Sequence, residues 1–448
     1  MTPTQTYEAK KTALLHQLST LSNPSFTLKK KSASNLFRYM HRHKRNKKKF
    51  YVKNFDKIIS IDLENKILDV EGLTSYAEIV QFTLSHGFLP TVTPELKHIT
   101  IGGAIVGIGI ESTCFQHGFV HDGLLLAEVL LPNGKIVTCT PDNEYADLFH
   151  ALPNSYGTLG YILRAKIKLY PALPIIKMNI EHFTDPELFI NAMQNGVLNK
   201  TAFFIEGLAF SKKEFYLMTG DFSTTSEPCD DIYQNIFYRL IQHKKNLTLK
   251  TEDYIFRYDP DWFWNIPETK VYALFRRFAP KSWRNSGIYK KYIDFKKKCL
   301  ALFNLTSSIN HYEETLIQDW EVPWDKGQEL LLYALTHINI FGKPWAIIPI
   351  IPLTSPHLYP VKKNTLYFNL GCYSSSKRQS TDTHFYNTQL MDALCFKLEG
   401  IKMLYSSTLL SEEQFFKIYN GDYYQKLKHK YDPENKLGNL YHKVALSK

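Results

Sequence analysis

Residues Thr100 to Ser112 read TIGGAIVGIGIES, and this stretch decides the fold. It holds four glycines in thirteen residues, Gly102, Gly103, Gly107 and Gly109, with no Pro, Asn or Asp. A surface turn ordinarily mixes those residues in. The other positions are apolar or β-branched, and Glu111 is the one charge. Such a strip suggests backbone that a ligand approaches closely, with N–H groups turned to an anion or a flat ring. A glycine-containing loop between strands is the plainer reading. The spacing fits neither a P-loop, which would end in Lys-Ser/Thr, nor a dinucleotide fingerprint, because Gly107-Ile108-Gly109 lacks the third glycine.

The flanking sequence narrows the choice. Leu124 to Leu131 reads as a buried strand, Pro132-Asn133-Gly134 as a turn and Lys135 to Thr140 as a second strand. Asp147 to Pro171 begins as a short helix, carries a second glycine pair at Gly157 and Gly160, and alternates as a strand up to Pro171. Upstream, Phe50 to Asn54, Lys57 to Asp62 and Ile67 to Glu71 read as short strands. Ser75 and Glu78 have capping-box spacing for a helix running to Gly87. Pro171-Ala172-Leu173-Pro174 closes this unit. Beyond it the pattern predicts strands near Phe203 to Phe210 and Glu214 to Gly220, then long aromatic-basic helices between Asp230 and Lys298. Strands follow at Trp345 to Pro352 and Thr365 to Gly371. The organisation is α+β, without internal repeats.

This order of segments resembles the FAD-binding domain of the vanillyl-alcohol-oxidase (PCMH) type flavoproteins. Within them it looks most like the delta(24)-sterol reductase (Diminuto/seladin) family. The resemblance is carried by LPTVTPELKHITIGGAIVGIGIES, LLPNGKIVTCTP and the GTLG at Gly157, and it continues through FIEGLAFS (Phe204 to Ser211), MTGDF (Met218 to Phe222) and DPDWFWNIPE (Asp259 to Glu268). It ends with LYFNLGCY (Leu366 to Tyr373), KMLYSSTLLSEEQF (Lys402 to Phe415) and YNGDYYQKLKHKY (Tyr419 to Tyr431). Nearly all of the chain after about residue 50 is covered. The resemblance implies a two-subdomain FAD-binding domain over 1–174 and a substrate (cap) domain over 175–400 with a mainly antiparallel sheet and helices. Residues 401–448 would return to the FAD domain.

It also implies the cofactor contacts: Glu95, Thr100, Ile101, Gly102, Gly103, Gly107, Gly109, Ile110, Glu111, Ser112, Gly118, Gly157, Gly160 and Ile162. No His lies within the glycine strip where a covalent flavin link is expected, so the FAD is expected to be non-covalent. His98 and His117 flank the strip and read as local hydrogen-bonding residues. No separate GxGxxG serves NAD(P)H, so a donor such as NADPH would dock transiently in the flavin pocket.

Composition sets outer limits. The chain has 448 residues, 44% of them hydrophobic and 14% aromatic, which leaves room for two domains with real cores. Six scattered cysteines without CxxC spacing read as reduced thiols, and no metal site is expected. No apolar run reaches the roughly 18 residues of a membrane span, and the polar start lacks the pattern of a signal peptide. The resembled family can carry an N-terminal anchor, whereas this chain is expected to begin inside the soluble part. A cytoplasmic protein, peripheral to a membrane, is the expectation.

The net charge of +11 comes almost wholly from Lys29 to Lys49, which holds ten basic residues and no acidic one. A solvated face, an anionic membrane surface and a pyrophosphate contact each explain it. The family's glycine-containing loop is replaced here by LKKKSASN, Leu28 to Asn35. Nucleic acid is not expected as a partner, since no recognition motif follows.

A flavin carries electrons itself, and the protein supplies position, local charge and a proton donor or acceptor. Reduction of an isolated alkene needs a general acid within hydrogen-bond reach. By their match to the family, the candidates are Tyr405 in KMLYSS, Glu206 in FIEGL and Tyr373 in LGCY. Glu206 pairing with a Lys, and tyrosines that merely pack, are the plainer alternatives. The expected substrate is a hydrophobic small molecule, sterol-like or isoprenoid, which places the chain in lipid metabolism. Oxidation of a sugar or other alcohol, and a non-catalytic membrane-surface binding role, stay open.

Overall fold

The computed structural model describes residues 2–20, 26–29, 48–52, 54–264, 270–289, 291, 292, 295, 313–377, 385–406 and 408–445. Two antiparallel sheets dominate. The smaller runs in the order Ile58–Asp62, Ile67–Glu71, Tyr161–Pro171, Leu124–Leu130 and Ile136–Cys139, with Phe88–Pro90 also paired to Tyr161–Pro171. The larger has eight strands: Asn246–Lys250, Ile175–Phe183, Glu214–Ser223, Phe204–Ser211, Trp345–Ile350, Tyr367–Lys377, Glu313–Pro323 and Ile401–Lys402. The architecture is α+β with a PCMH-type FAD-binding domain. Most of the Lys29–Lys49 basic run lies outside the described residues, and so does much of the Leu28–Asn35 loop.

Strand alternation gives the large sheet two different faces. Ile205, Ala209, Trp320, Val322, Ile347 and Leu370 point one way, into an apolar layer shared with the helices Pro186–Asn199, Gly327–His337 and Tyr386–Lys397. Phe204, Leu208, Met218, Ile348 and Ile350 point the other way and pack with the core of the small-sheet unit. Glu206, Asp319, Glu321, Asn369 and Tyr373 share the parity of this second, inner face. The inner face therefore carries the polar groups.

The glycine strip differs from its sequence reading. Residues Ile101–Gly107 form a short helix, and Thr100 caps it by accepting from the Gly103 amide at 3.3 Å. Ile101, Ala104 and Ile105 are buried at helical spacing, and that burial outweighs the poor helix propensity of three glycines. The glycines allow close packing: a Cβ on Gly102 would lie 2.8 Å from the Gly72 carbonyl oxygen, and one on Gly109 would lie 2.6 Å from Val120 Cγ2.

Of the stretch between Asp230 and Lys298 expected to hold long helices, the described residues are helical at Phe237–Ile241, Thr251–Ile255, Lys270–Phe278 and at 286–289, 291, 292 and 295, with the strand Asn246–Lys250 among them. Several of its aromatics and arginines, among them Phe237, Tyr254, Arg257, Arg276 and Arg284, are buried. Sequence reading also missed the Ile175–Phe183 and Glu313–Pro323 strands, both central to the large sheet. The Ser75–Glu78 capping box is present, and its helix runs over Tyr76–Leu84.

Both ends of the chain dock on the small-sheet unit. The N-terminal helix Pro3–Ser19 buries Tyr7, Leu14 and Leu18 there, and Tyr7 Oη donates to Glu128 at 3.0 Å. At the other end, Lys428 Nζ donates to the Thr158 carbonyl at 3.0 Å and Lys443 Nζ to the Tyr156 carbonyl at 2.5 Å. Tyr156 Oη in turn donates to the Gly107 carbonyl at 3.1 Å, so the C-terminal helices hold the loop that holds the glycine helix.

Candidate active site

Where the strip leaves its helix, Ile108 has φ +57°, a left-handed conformation that a β-branched residue rarely takes. Among the described residues the amides of Ile108, Gly109 and Ile110 donate to no other group. The amides at the helix start are occupied, those of Ile101 and Gly102 donating to the carbonyls of Thr74 and Gly72. An anion or ring at this strip thus meets the end of the helix, not its beginning. Downstream the strip is sewn to the large sheet: the Ile205 amide donates to the Ser112 carbonyl at 3.1 Å, and Ile351 donates to Cys114 at 3.2 Å.

Two buried acidic clusters lie beside it on the inner face. In the first, Arg257 is fully buried among Glu95, Glu111 and Glu206. Its Nε and Nη2 donate to the two oxygens of Glu206 at 2.8 and 2.7 Å, and Nη2 also reaches Glu111 at 2.6 Å and Glu95 at 2.7 Å. Tyr254 and Tyr258 stack their rings on the guanidinium, at 4.5 and 5.0 Å. One nitrogen cannot satisfy three carboxylates with two hydrogens. Burial, then the charge of Glu111, holds the Glu95 carboxyl well above its ordinary range, so this cluster keeps a proton. Its oxygens have the spacing of a metal site, and Arg257 fills the position a cation would take. The plainer alternative for Glu206 was pairing with a Lys. The partner is Arg257, whose buried role the sequence does not signal.

Among the described residues no cation bonds to the second cluster. Asp319 is buried and accepts from Tyr405 Oη at 2.8 Å, Tyr373 Oη at 2.9 Å and Asn369 Nδ2 at 2.9 Å. Burial pushes its carboxyl pKa up, against the pull of those three donors. Burial, then Asp319, raises both phenols well above their ordinary value, so they stay protonated. One strand pairing away, burial raises Glu321 to about 8 while Tyr359 donates to it at 2.6 Å. The sequence alone does not single out Asp319, although it sits in the strand opposite Tyr373's own. Tyr373 and Tyr405 are half-buried, so the donors are more open than their acceptor.

The DPDWFW segment joins the clusters. Phe263 stacks on Tyr373 at 4.2 Å and on Tyr258 at 5.4 Å, giving a ring column from the Asp319 cluster to Arg257. Trp262, Phe263 and Trp264 all have φ near +50°, a run of left-handed aromatic residues held by its surroundings.

The histidines flanking the strip take separate roles. His98 Nε2 contacts Asn285 Oδ1 at 3.3 Å. His117 stacks on Tyr170, its Nε2 is without a partner, and burial lowers its pKa to about 4, which corrects its reading as a hydrogen-bonding residue. Glu111 and Glu95 turn their carboxylates to Arg257, whereas Ser112 Oγ meets Tyr254 Oη at 3.1 Å. Gly157 has φ +73° in the loop that clasps the strip.

The FAD binding domain family matches residues 47–140. Over 410 residues the chain is 25% identical to the delta(24)-sterol reductase of Homo sapiens, covering 88% of this chain and 77% of that one. It is 24% identical to the delta(24)-sterol reductase of Arabidopsis thaliana over 87% of this chain and 75% of that one. The chain is an FAD-dependent oxidoreductase. A shorter match, 31% identity over 31% of this chain and 27% of the other, is to cytokinin dehydrogenase 9 of Oryza sativa.

The oxidoreductase's own groups fit a flavin dinucleotide. The three unbonded amides of Ile108–Ile110 suit an acceptor. Asn369 Oδ1 is a buried acceptor without a donor, which suits a ligand N–H, and Glu321 Oε1 is a second buried polar atom without a partner.

Proposed function

We propose that this FAD-dependent oxidoreductase reduces a C=C bond of a sterol-like or isoprenoid substrate, with NADPH as electron donor and non-covalent FAD held by the Thr100–Ser112 strip and the loop at Gly157. The observation that carries this reading is the Asp319–Tyr373–Tyr405 cluster, a donor set flanked by the apolar side chains of Ile348, Ile350 and Phe263. Similarity to delta(24)-sterol reductases over most of the chain supports the substrate class.

Bound FAD would supply the hydride. The chain supplies the proton, and Tyr405 and Tyr373 hold it at their hydroxyls, facing the half-open side of the cluster. A phenol losing its proton beside an ionised Asp319 would place two negative charges together. Burial favours the protonated carboxyl at Asp319; in that form its O–H would donate to one phenol, and its proton would replace the one that phenol gives to the substrate carbon. Asn369 then bonds the resulting carboxylate. The apolar neighbours, Ile348, Ile350 and Phe263, exclude water and have nothing to offer a polyol.

The test is anaerobic. NADPH should bleach the flavin, and a sterol with a side-chain double bond should restore its colour while becoming saturated. Recovery with sugar alcohols and not with sterols would reject the reading.

A further inference from the structure

The segment that follows the DPDWFW wall is built inside out. On the helix Lys270–Phe278, Leu274 and Phe278 lie one turn apart and face solvent, Phe278 at 74% exposure, while Arg276 is buried. Arg276 Nη2 donates to the carbonyls of Ile232, Tyr233 and Asn235 at 3.0–3.3 Å. The next turn repeats the inversion. Arg284 is buried, donating to the Ala279 and Tyr233 carbonyls, and Trp283 beside it is 56% exposed. Tyr292 and Phe295 are each 65% exposed. A helix in water turns its apolar stripe to the core and its arginines outward. Five large apolar side chains turned out from one short segment form the kind of patch that marks an interaction surface.

Charge selects the partner. Of the seven basic residues from Lys270 to Tyr292, Arg276 and Arg284 are buried, Arg277, Lys281 and Lys291 are exposed, and the one acidic residue up to Phe295 is Asp294. Arg277 and Lys291 are exposed beside the apolar side chains. Trp, Tyr and Phe beside Arg and Lys are the residues that settle at a bilayer's headgroup level. We infer that the exposed side chains of Leu274, Arg277, Phe278, Trp283, Tyr292 and Phe295 form a docking surface for an anionic lipid bilayer.

The surface lies close to the candidate active site. Tyr289 Oη donates to the Pro260 carbonyl at 2.7 Å, and Ser286 Oγ donates to Asp259 at 2.6 Å. The docking segment is thus bonded to the base of the aromatic turn whose Phe263 covers Tyr373. A lipophilic substrate leaving the bilayer here would meet the segment that carries Phe263. Docking itself does not depend on the identity of that substrate.

The test uses the full chain carrying its flavin, floated with phosphatidylcholine vesicles with and without phosphatidylserine, no sterol present. Wild type should float with the anionic vesicles, less so as salt rises. Leu274→Ser/Phe278→Ser/Trp283→Ser should lose about tenfold or more in binding while keeping flavin content and thermal midpoint, because all three side chains face water. Arg277→Gln should weaken binding to anionic vesicles alone. Three results would overturn the surface: wild type ignoring both vesicles, the triple Ser variant floating like wild type, or a lipid-free dimer that the triple variant dissolves, since the patch would then face a second copy. Flotation is read without turnover, so a failed sterol assay leaves it unaffected.

Discussion

The inner face of the large sheet carries two buried acidic clusters that solve the same problem in opposite ways. Around Arg257, three carboxylates share one guanidinium, and every strong hydrogen bond is charge-assisted. Around Asp319, one carboxylate is held by neutral donors alone. The first arrangement joins the FAD-binding unit, through Glu95 and Glu111, to the large sheet, through Glu206. It cannot release its cation without leaving charge stranded. The second can gain or lose a proton with its hydrogen-bond partners in place. A buried cation makes a lock, whereas a buried acid surrounded by phenols makes a proton store.

Removing the lock should have the largest effect. Arg257→Met leaves the three carboxylates without their counter-ion and should cost about 3–5 kcal/mol in urea unfolding, with adding Glu206→Gln returning part of it. Asp319→Asn keeps shape and removes no counter-ion, so its cost should be near 1 kcal/mol. Equal costs for Arg257→Met and Asp319→Asn would erase the distinction between the clusters.

The chemical side of the comparison rests on Tyr405. Tyr405→Phe should leave FAD content and flavin reduction by NADPH intact, and slow reoxidation by substrate roughly 10²–10⁴-fold. Tyr373→Phe should do the same more weakly, because Tyr405 remains. Unchanged reoxidation in Tyr405→Phe would make it a packing residue and return attention to Glu206.

The proton store also has a stability signature, clearest at Glu321. Its carboxyl is raised from the ordinary 4.5 to about 8 in the fold. Below about pH 4.5 both folded and unfolded chains keep the proton, and the contribution to stability is fully present. Between 4.5 and 8 the unfolded chain releases a proton that the folded chain keeps, so stability falls as pH rises, by up to about 1.4 kcal/mol per pH unit. Glu321→Gln should flatten that slope in thermal melts taken across the window. A slope identical to wild type would place the titration elsewhere.

What was readable in the sequence follows from the range of the forces involved. Local signals were legible: the Ser75–Glu78 capping box and the Pro132–Gly134 turn. Tyr405, Tyr373 and Glu206 all reach the inner face, but they divide between the two clusters. The partners that define those clusters, Arg257 and Asp319, were missed. Their meaning depends on pairings across 51 residues for Arg257 with Glu206 and 86 for Tyr405 with Asp319. The nearest hint was strand alternation in QDWEVP, which sets Asp319 and Glu321 on the face opposite Trp320 and Val322. In the 230–298 stretch the arginines and aromatics suit a helix surface locally, while tertiary contacts bury several of them.

The smallest expected effect bears on the glycines of the Thr100–Ser112 strip. A Cβ on Gly102 would press the Gly72 carbonyl at 2.8 Å and Ile162 Cβ at 3.4 Å, so Gly102→Ala should destabilise by roughly 1–3 kcal/mol through overpacking alone. At Gly103 an added Cβ meets only the capping Thr100 Oγ1, at 3.0 Å. Alanine also favours a helix over glycine by about 1 kcal/mol, so the two terms nearly cancel at Gly103. Gly103→Ala should therefore shift stability by less than about 1 kcal/mol. Its flavin content then reads out the strip's role without interference from folding. A stable Gly103→Ala protein that has lost FAD would show that this glycine is needed where the cofactor approaches the backbone. A stable protein with full flavin would leave the strip's glycines to helix–sheet packing, and cofactor contact would pass to the unbonded amides of Ile108, Gly109 and Ile110.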